Sequence, residues 1–148
     1  MNNKGFTMIE IILVIALIGI LASISLPIYR KTMAHHSLHS AARVISTDIR
    51  YTQQKSITER DSYRLLFNTT SGTTYQILST ASNSKMKYLP KGTKIIRTNF
   101  TDKTLTFYPS GAPSQGGRLV IENNFGDKLY IIVTPATGRV RISDKPPN

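Results

Sequence analysis

At 148 residues the chain has room for one globular domain and an anchoring segment, but not for two full domains. It contains no cysteine, which excludes a disulfide framework, a thiolate metal site and a cysteine nucleophile, and its 40% hydrophobic content is that of a folding chain. Nineteen Lys and Arg against eight Asp and Glu, a formal charge of +11, turn the molecule towards polyanions such as nucleic acid or anionic lipid.

Between Phe6 and Leu26 the ionisable residue is Glu10 alone, in a run that as a helix reaches about 31 Å, the depth of bilayer hydrocarbon. A secretory signal has a shorter apolar core and a small-residue cleavage site, for which Ser23 to Ser25 ahead of Pro27 is a poor substitute. Basic residues do not fix the orientation, because Lys4 precedes the segment while Arg30 and Lys31 follow it. Glu10 is the anomaly. In hydrocarbon its carboxylate must either find a counter-charge or snorkel to the headgroups.

Lys4-Gly5-Phe6-Thr7-Met8-Ile9-Glu10 followed by the apolar run resembles the prepilin signal of type IV pilins and type II secretion pseudopilins. The resemblance implies that a membrane peptidase cuts between Gly5 and Phe6, that Phe6 is then N-methylated, and that Pro27 is the family's helix-kinking proline. It divides the chain into a leader (1–5), a transmembrane and assembly helix (6–29) and a soluble domain (30–148). It also implies that the leader faces the cytoplasm and the rest lies outside. Glu10 would then pair with the α-ammonium group that cleavage creates on Phe6 of a neighbouring subunit, fixing its register in a filament. The expected partners are the prepilin peptidase, other pilin or pseudopilin subunits and the membrane. The expected location is the cytoplasmic membrane and then a surface filament.

Beyond Pro27, Leu38, Ala42, Ile45 and Ile49 recur at helical spacing and continue loosely to Ile57. The anchor is expected to run on as one long kinked helix that packs this stripe on a sheet, with Arg43, Arg50 and Lys55 in solvent. His35 and His39 share a face at the spacing of metal ligands, but no acidic third ligand accompanies them, and a polar helix surface explains them equally well; no metal is expected.

From Asp61 onward short β-rich runs alternate with turn signals: 63–67, 73–79, 93–98, 104–108, 118–123, 128–134 and 139–142. The predicted fold is therefore α+β, a long N-terminal helix on one antiparallel sheet or two small ones. Tyr108 to Gly117, rich in Gly and Pro, is predicted to be a mobile loop.

If Pro135 to Gly138 is a four-residue hairpin loop, Thr134 pairs with Arg139, Val133 with Val140 and Ile132 with Arg141. Alternation then places Val140, Ile142, Val133, Ile131 and Leu129 in the core, and Arg139, Arg141, Tyr130 and Lys128 on the other face. Two guanidinium groups roughly 7 Å apart approach the spacing of successive phosphates, and Lys145 follows in a Pro-rich tail. The motif Gly138-Arg139-Val140-Arg141 resembles that of the GspH/FimT branch of minor pilins and pseudopilins, whose FimT-like members use it to bind DNA in natural transformation. What the resemblance implies is weak, sequence-indifferent DNA binding through Gly138, Arg139, Arg141, Lys145 and Lys128. The same arginines also fit the solvated face of an edge hairpin. The alternative function is a GspH-like minor pseudopilin of type II secretion, or a pilus-assembly subunit, without DNA. Residues 81–148 carry eleven Lys and Arg against four Asp and Glu, and Lys85, Lys87, Lys91, Lys94 and Arg97 form a second basic cluster that either widens the track or merely solvates a loop and a strand. No Gly-x-Ser-x-Gly or P-loop is present and few carboxylates are close enough in sequence to suggest an acid/base pair, so neither catalysis nor a cofactor is expected.

Overall fold

The computed structural model describes residues 7–80 and 84–146. Helix α1 (Met8–Glu59) is followed by strands β1 (Tyr63–Phe67), β2 (Thr74–Ser79), β3 (Lys85–Tyr88), β4 (Thr93–Thr98), β5 (Thr104–Phe107), β6 (Gly117–Asn123), β7 (Lys128–Val133) and β8 (Val140–Ser143). The chain separates into two units that divide between Met33 and Ala34, within α1.

In the first unit the helix starts with a reciprocal cap. The Glu10 backbone N–H donates to Thr7 Oγ1 (3.3 Å) and the Thr7 N–H donates to Glu10 Oε2 (3.4 Å), the capping box of a Thr-x-x-Glu sequence. The helix continues without interruption through Pro27, whose missing N–H leaves one carbonyl in the preceding turn without its helical donor. The hydroxyls of Ser23, Ser25 and Thr32 donate to carbonyls three or four residues earlier, at 2.7–3.0 Å, and so are satisfied without water. The apolar residues here are exposed, and the segment is long and apolar enough to cross a membrane.

In the second unit the rest of α1 buries the predicted stripe, Leu38, Ala42, Ile45 and Ile49, with Ala41 beside it. Each large aliphatic side chain so buried contributes roughly 1.5–3 kcal/mol, and the two alanines let the helix backbone approach the sheets. Arg43 and Arg50 are exposed and Lys55 half-exposed, as the periodicity requires, while Ile57 at the end of the stripe is 45% exposed. The helix ends at Glu59, and Arg60 after it takes a left-handed backbone (φ 51°) that closes the last turn.

The strands form two four-stranded antiparallel sheets, β3-β2-β1-β5 (sheet I) and β4-β6-β7-β8 (sheet II). The two sheets share one core with the helix: the Phe67 ring of β1 stacks on Phe100 after β4 (5.8 Å between centroids), and the Ile95 N–H of β4 donates to the Gly72 carbonyl before β2 (2.7 Å). The predicted strands all form, within a residue or so of their expected ends. β3 was not expected. Lys85-Met86-Lys87-Tyr88 is an edge strand largely exposed on both faces, so it carries no alternation for a sequence reading to detect.

The predicted mobile loop after β5 is instead fastened down. The Tyr108 N–H donates to the Ala112 carbonyl (3.0 Å), the Ser114 N–H to the Thr106 carbonyl (2.7 Å), and Pro113 pairs with Phe107. Gln115 closes the other side, accepting from the Thr101 hydroxyl and donating to the Thr104 carbonyl. Gly111 is buried at φ +79°, where a Cβ would stand 2.6 Å from Ile57 Cδ1, so glycine here permits close packing rather than motion.

On the buried side of the helix, Asp48 Oδ2 accepts from the Tyr75 hydroxyl (2.5 Å), with Lys87 of β3 3.4 Å away. Burial first, and the hydrogen bond to Asp48 second, hold the Tyr75 phenol well above the ordinary tyrosine range. Unfolded tyrosine ionises near pH 10 while the folded phenol stays neutral. The stability this group confers is therefore complete below about pH 10 and falls above it, by up to about 1.4 kcal/mol per pH unit. Tyr75→Phe is expected to flatten that alkaline decline in urea unfolding between pH 8 and 11; an unchanged slope would remove Tyr75 as its source.

Candidate nucleic-acid interface

The β7–β8 hairpin has the register expected of a four-residue loop. Val133 pairs with Val140 and Ile132 with Arg141, and the Thr134 N–H donates to the Arg139 carbonyl (3.0 Å). Val140, Val133, Ile131 and Leu129 are buried and Ile142 packs against the same core, while Arg139, Arg141 and Lys128 are exposed on the outer face with a half-buried Tyr130.

Gly138 has a structural reason independent of any ligand. It lies at φ +67°, its N–H donates to the Thr134 carbonyl (2.9 Å), and a Cβ would stand 2.7 Å from Gln53 Nε2 and 3.0 Å from Phe107 Cε1. Gln53 of α1 donates to the Thr137 carbonyl (3.0 Å) and to the Gly111 carbonyl (2.8 Å), and Arg50 reaches the Val140 carbonyl (3.4 Å). The hairpin that carries Arg139 and Arg141 is thus clamped to the helix from behind, leaving their guanidinium groups in solvent.

Antiparallel register extends this face across sheet II. Arg97, Val120, Tyr130 and Ser143 form one row over β4, β6, β7 and β8, and Arg118, Ile132 and Arg141 form the next. A bulge between Ile95 and Arg97 brings Arg97 into its row. Arg118 therefore bridges Arg97 to the hairpin arginines, at about 10 Å from Arg141 across two strand spacings. The signal for it was in the sequence: Arg118 alternates with the buried Leu119 and Ile121, and pairing β6 with β7 sets it opposite Ile132. Among the described residues, none of Arg97, Arg118, Arg139 and Arg141 is in an ion pair.

The other cations divide. Lys128 lies 3.8 Å from Glu122, its cross-strand neighbour, which also faces Lys94 across β4, so one carboxylate sits between two ammonium groups. Lys145 is exposed, held where its N–H meets Ser143 Oγ (3.2 Å), and Pro146 next to it returns over the sheet to line a cleft with Arg97, Arg118 and Tyr130. The second basic cluster of the sequence is split: Lys94 and Arg97 belong to sheet II, whereas Lys85 and Lys87 belong to β3 of sheet I. His35 and His39 rings stand 4.5 Å apart beside a cavity of about 460 Å³ that Asp127 and Asp144 also line, but no three ligating side chains converge among the described residues. Gly5 and Phe6, the expected cleavage and methylation positions, lie outside the described residues.

Residues 1–26 match the prokaryotic N-terminal methylation motif, and residues 41–138 match the family described as type II transport protein GspH. The chain belongs to the GspH family. This places it in the type IV pilin and pseudopilin superfamily. Competence protein ComGD of Bacillus subtilis is 28% identical to this GspH-family chain over 145 residues, covering 97% of the chain and 96% of ComGD. The fimbrial protein EcpB of Eikenella corrodens is 64% identical over 33 residues, 22% of this chain and 21% of EcpB. The type IV major pilin protein PilA of Myxococcus xanthus is 45% identical over 63 residues, 42% of this chain and 28% of PilA. The chain thus spans under a third of these last two relatives, against nearly all of ComGD. Two solved structures have the same fold: the type IV minor pilin FimU of Pseudomonas aeruginosa (TM-score 0.59, 16% identity, 74% of this chain and 90% of FimU) and the minor pseudopilin EpsH from the Type 2 Secretion System of Vibrio cholerae (0.57, 11%, 72% and 96%).

Proposed function

We propose that this GspH-family chain is a minor pilin or pseudopilin that captures extracellular DNA for uptake, without sequence preference, through the outer face of sheet II. Its leader, residues 1–5, is removed after Gly5, Phe6 is methylated, residues 6–29 anchor it in the cytoplasmic membrane, and residues 30–148 lie outside until it enters a filament. Its role is one of binding and assembly rather than catalysis. The observation that carries the DNA reading is the group of exposed or half-buried arginines Arg139, Arg141 and Arg118, none of them in an ion pair among the described residues, on a face whose hairpin is fixed from behind by Gln53. The chain-long similarity to a protein named for competence supports the same reading. Contacts made to phosphates alone predict weak, salt-sensitive binding.

A second reading, a pseudopilin or assembly subunit without DNA, is favoured by one feature. Arg141 lies on the edge strand of sheet II, where a charged side chain protects against edge-to-edge pairing.

Fluorescence anisotropy of the full chain in detergent micelles with a labelled duplex separates the two. The double variant Arg139→Gln/Arg141→Gln is expected to lose about tenfold in affinity near physiological salt, and the slope of log K against log salt is expected to shrink by about 1.8, or 0.9 for each lost phosphate contact. Equal duplex affinity in both proteins would leave the second reading.

A further inference from the structure

The cleft on the outer face of sheet II differs in character from the exposed hairpin arginines. Its volume is about 410 Å³, and Ile96, Arg97, Arg118, Val120, Lys128, Tyr130 and Pro146 line it. That volume lies at the small end of the range of about 300–1,000 Å³ usual for ligand clefts. Its floor is Val120, which is 5% exposed although it points away from the core shared by the helix and the two sheets. Arg97, Val120 and Tyr130 are consecutive cross-strand neighbours, so the Tyr130 ring stands one strand from the floor and Arg97 one strand to its other side. Arg118, two residues from Val120, lines both this cleft and the next hollow, bounded by Asn99, Gly116, Ile132 and Pro135, which leads towards Arg141.

A duplex has little use for such a cleft. Its bases are stacked on one another, and its outward chemistry is phosphate, which the exposed Arg139 and Arg141 reach without any concavity. An unpaired base has a free aromatic face and a flanking phosphate. A half-buried tyrosine over an aliphatic floor, between guanidinium groups, is the environment that holds one. The charge fits as well: three cations against Glu122, which pairs with Lys128, leave Arg97 and Arg118 for phosphate.

We propose that this cleft is a binding site for single-stranded nucleic acid, in which one unpaired base stacks on Tyr130 above Val120 while Arg97 and Arg118 hold its flanking phosphates. The inference rests on the DNA reading given above and adds to it a strand preference: single strands occupy the cleft and the hairpin arginines together, duplexes the arginines alone. No contact to a base edge is required, so the site accepts any base, and the free faces of unpaired or frayed DNA are what it selects.

The test uses the full chain in detergent micelles with three labelled probes of equal length: an oligothymidylate single strand, an abasic single strand that keeps its phosphates, and a duplex. The wild-type protein is expected to bind the thymidylate strand at least fivefold more tightly than the abasic strand. Tyr130→Leu, which keeps an apolar side chain but removes the ring, is expected to abolish that difference and leave duplex affinity unchanged. Equal wild-type affinity for the thymidylate and abasic strands overturns the cleft site whatever the variant does, so the outcome does not depend on the variant's folding. Oligoglutamate displacing the thymidylate strand at equal charge concentration also overturns it, reassigning the cleft to an acidic protein segment. If duplex binding persists and still requires Arg139 and Arg141 while Tyr130→Leu binds the thymidylate strand normally, the strand preference fails and the DNA reading stands. If no probe binds the wild-type chain, both fail.

Discussion

Gly138→Val is expected to destabilise the β-rich unit by roughly 2–6 kcal/mol, more than the loss of either neighbouring arginine. Two costs combine at this residue. A β-branched side chain at φ +67° occupies a region that costs about 1–3 kcal/mol, and its Cβ would lie 2.7 Å from Gln53 Nε2 and 3.0 Å from Phe107 Cε1, an overpacking of about 1–3 kcal/mol more. Gln53 cannot simply withdraw, because it donates to the Thr137 and Gly111 carbonyls and so joins the β7–β8 hairpin to the loop after β5. Gln53→Ala alone should cost less, about 1–3 kcal/mol, by leaving those carbonyls short of a donor. In the double variant the vacated space relieves the Gln53 part of the valine's steric cost but neither the Phe107 contact nor the backbone strain, so the two effects should fall short of additivity. Thermal unfolding of the four proteins by near-ultraviolet circular dichroism measures each term. A Gly138→Val protein that melts with the wild type would mean that the glycine is not required by the packing, and would return it to a ligand-binding role.

Glu10→Val is expected to leave membrane insertion intact and to remove the chain from filaments. Two different jobs for the carboxylate predict this loss. In the first, an ionised Glu10 pairs with the α-ammonium group that cleavage creates on a neighbouring subunit, where hydrocarbon leaves a charge no other stabilisation. In the second, Glu10 caps its own helix through Thr7. Glu10→Gln separates them, since an amide still accepts from the Thr7 N–H in a capping box but carries no charge. The ion-pair reading requires Glu10→Gln to fail in filament incorporation as completely as Glu10→Val, measured by the variant's abundance in sheared filament fractions against its abundance in membranes. Normal incorporation of Glu10→Gln would assign the residue to the helix cap.

The helix stripe was legible in the sequence because Leu38, Ala42, Ile45 and Ile49 repeat at the helical period, and a single amphipathic face fixes which side is buried. The hairpin was legible for a related reason: a short loop length sets the register, and period-two alternation then decides the face of Arg139 and Arg141 without further information. The apolar N-terminal run and its Glu10 were visible as composition, a carboxylate among apolar residues. These are local properties, carried by neighbours in the chain.

What the sequence left open depended on contacts between distant residues. β3 pairs with β2 on an edge exposed on both faces, so only the partner strand makes it a strand. The Gly and Pro of Tyr108 to Gly117 read as mobility in isolation, yet Gly111 is small because Ile57 lies against it and Gln53 binds its carbonyl. The basic residues between Lys85 and Arg97 looked like one cluster, and sheet assignment divided them. The outward face of Arg118 was readable from its alternation with Leu119, but its place between Arg97 and Arg141 followed only from β6 lying between β4 and β7, with a bulge bringing Arg97 into line. Sequence alone determined the elements that periodicity and turn length specify. Tertiary structure alone decided which cations from other strands join the hairpin arginines, because strand order brings together residues that no local pattern connects.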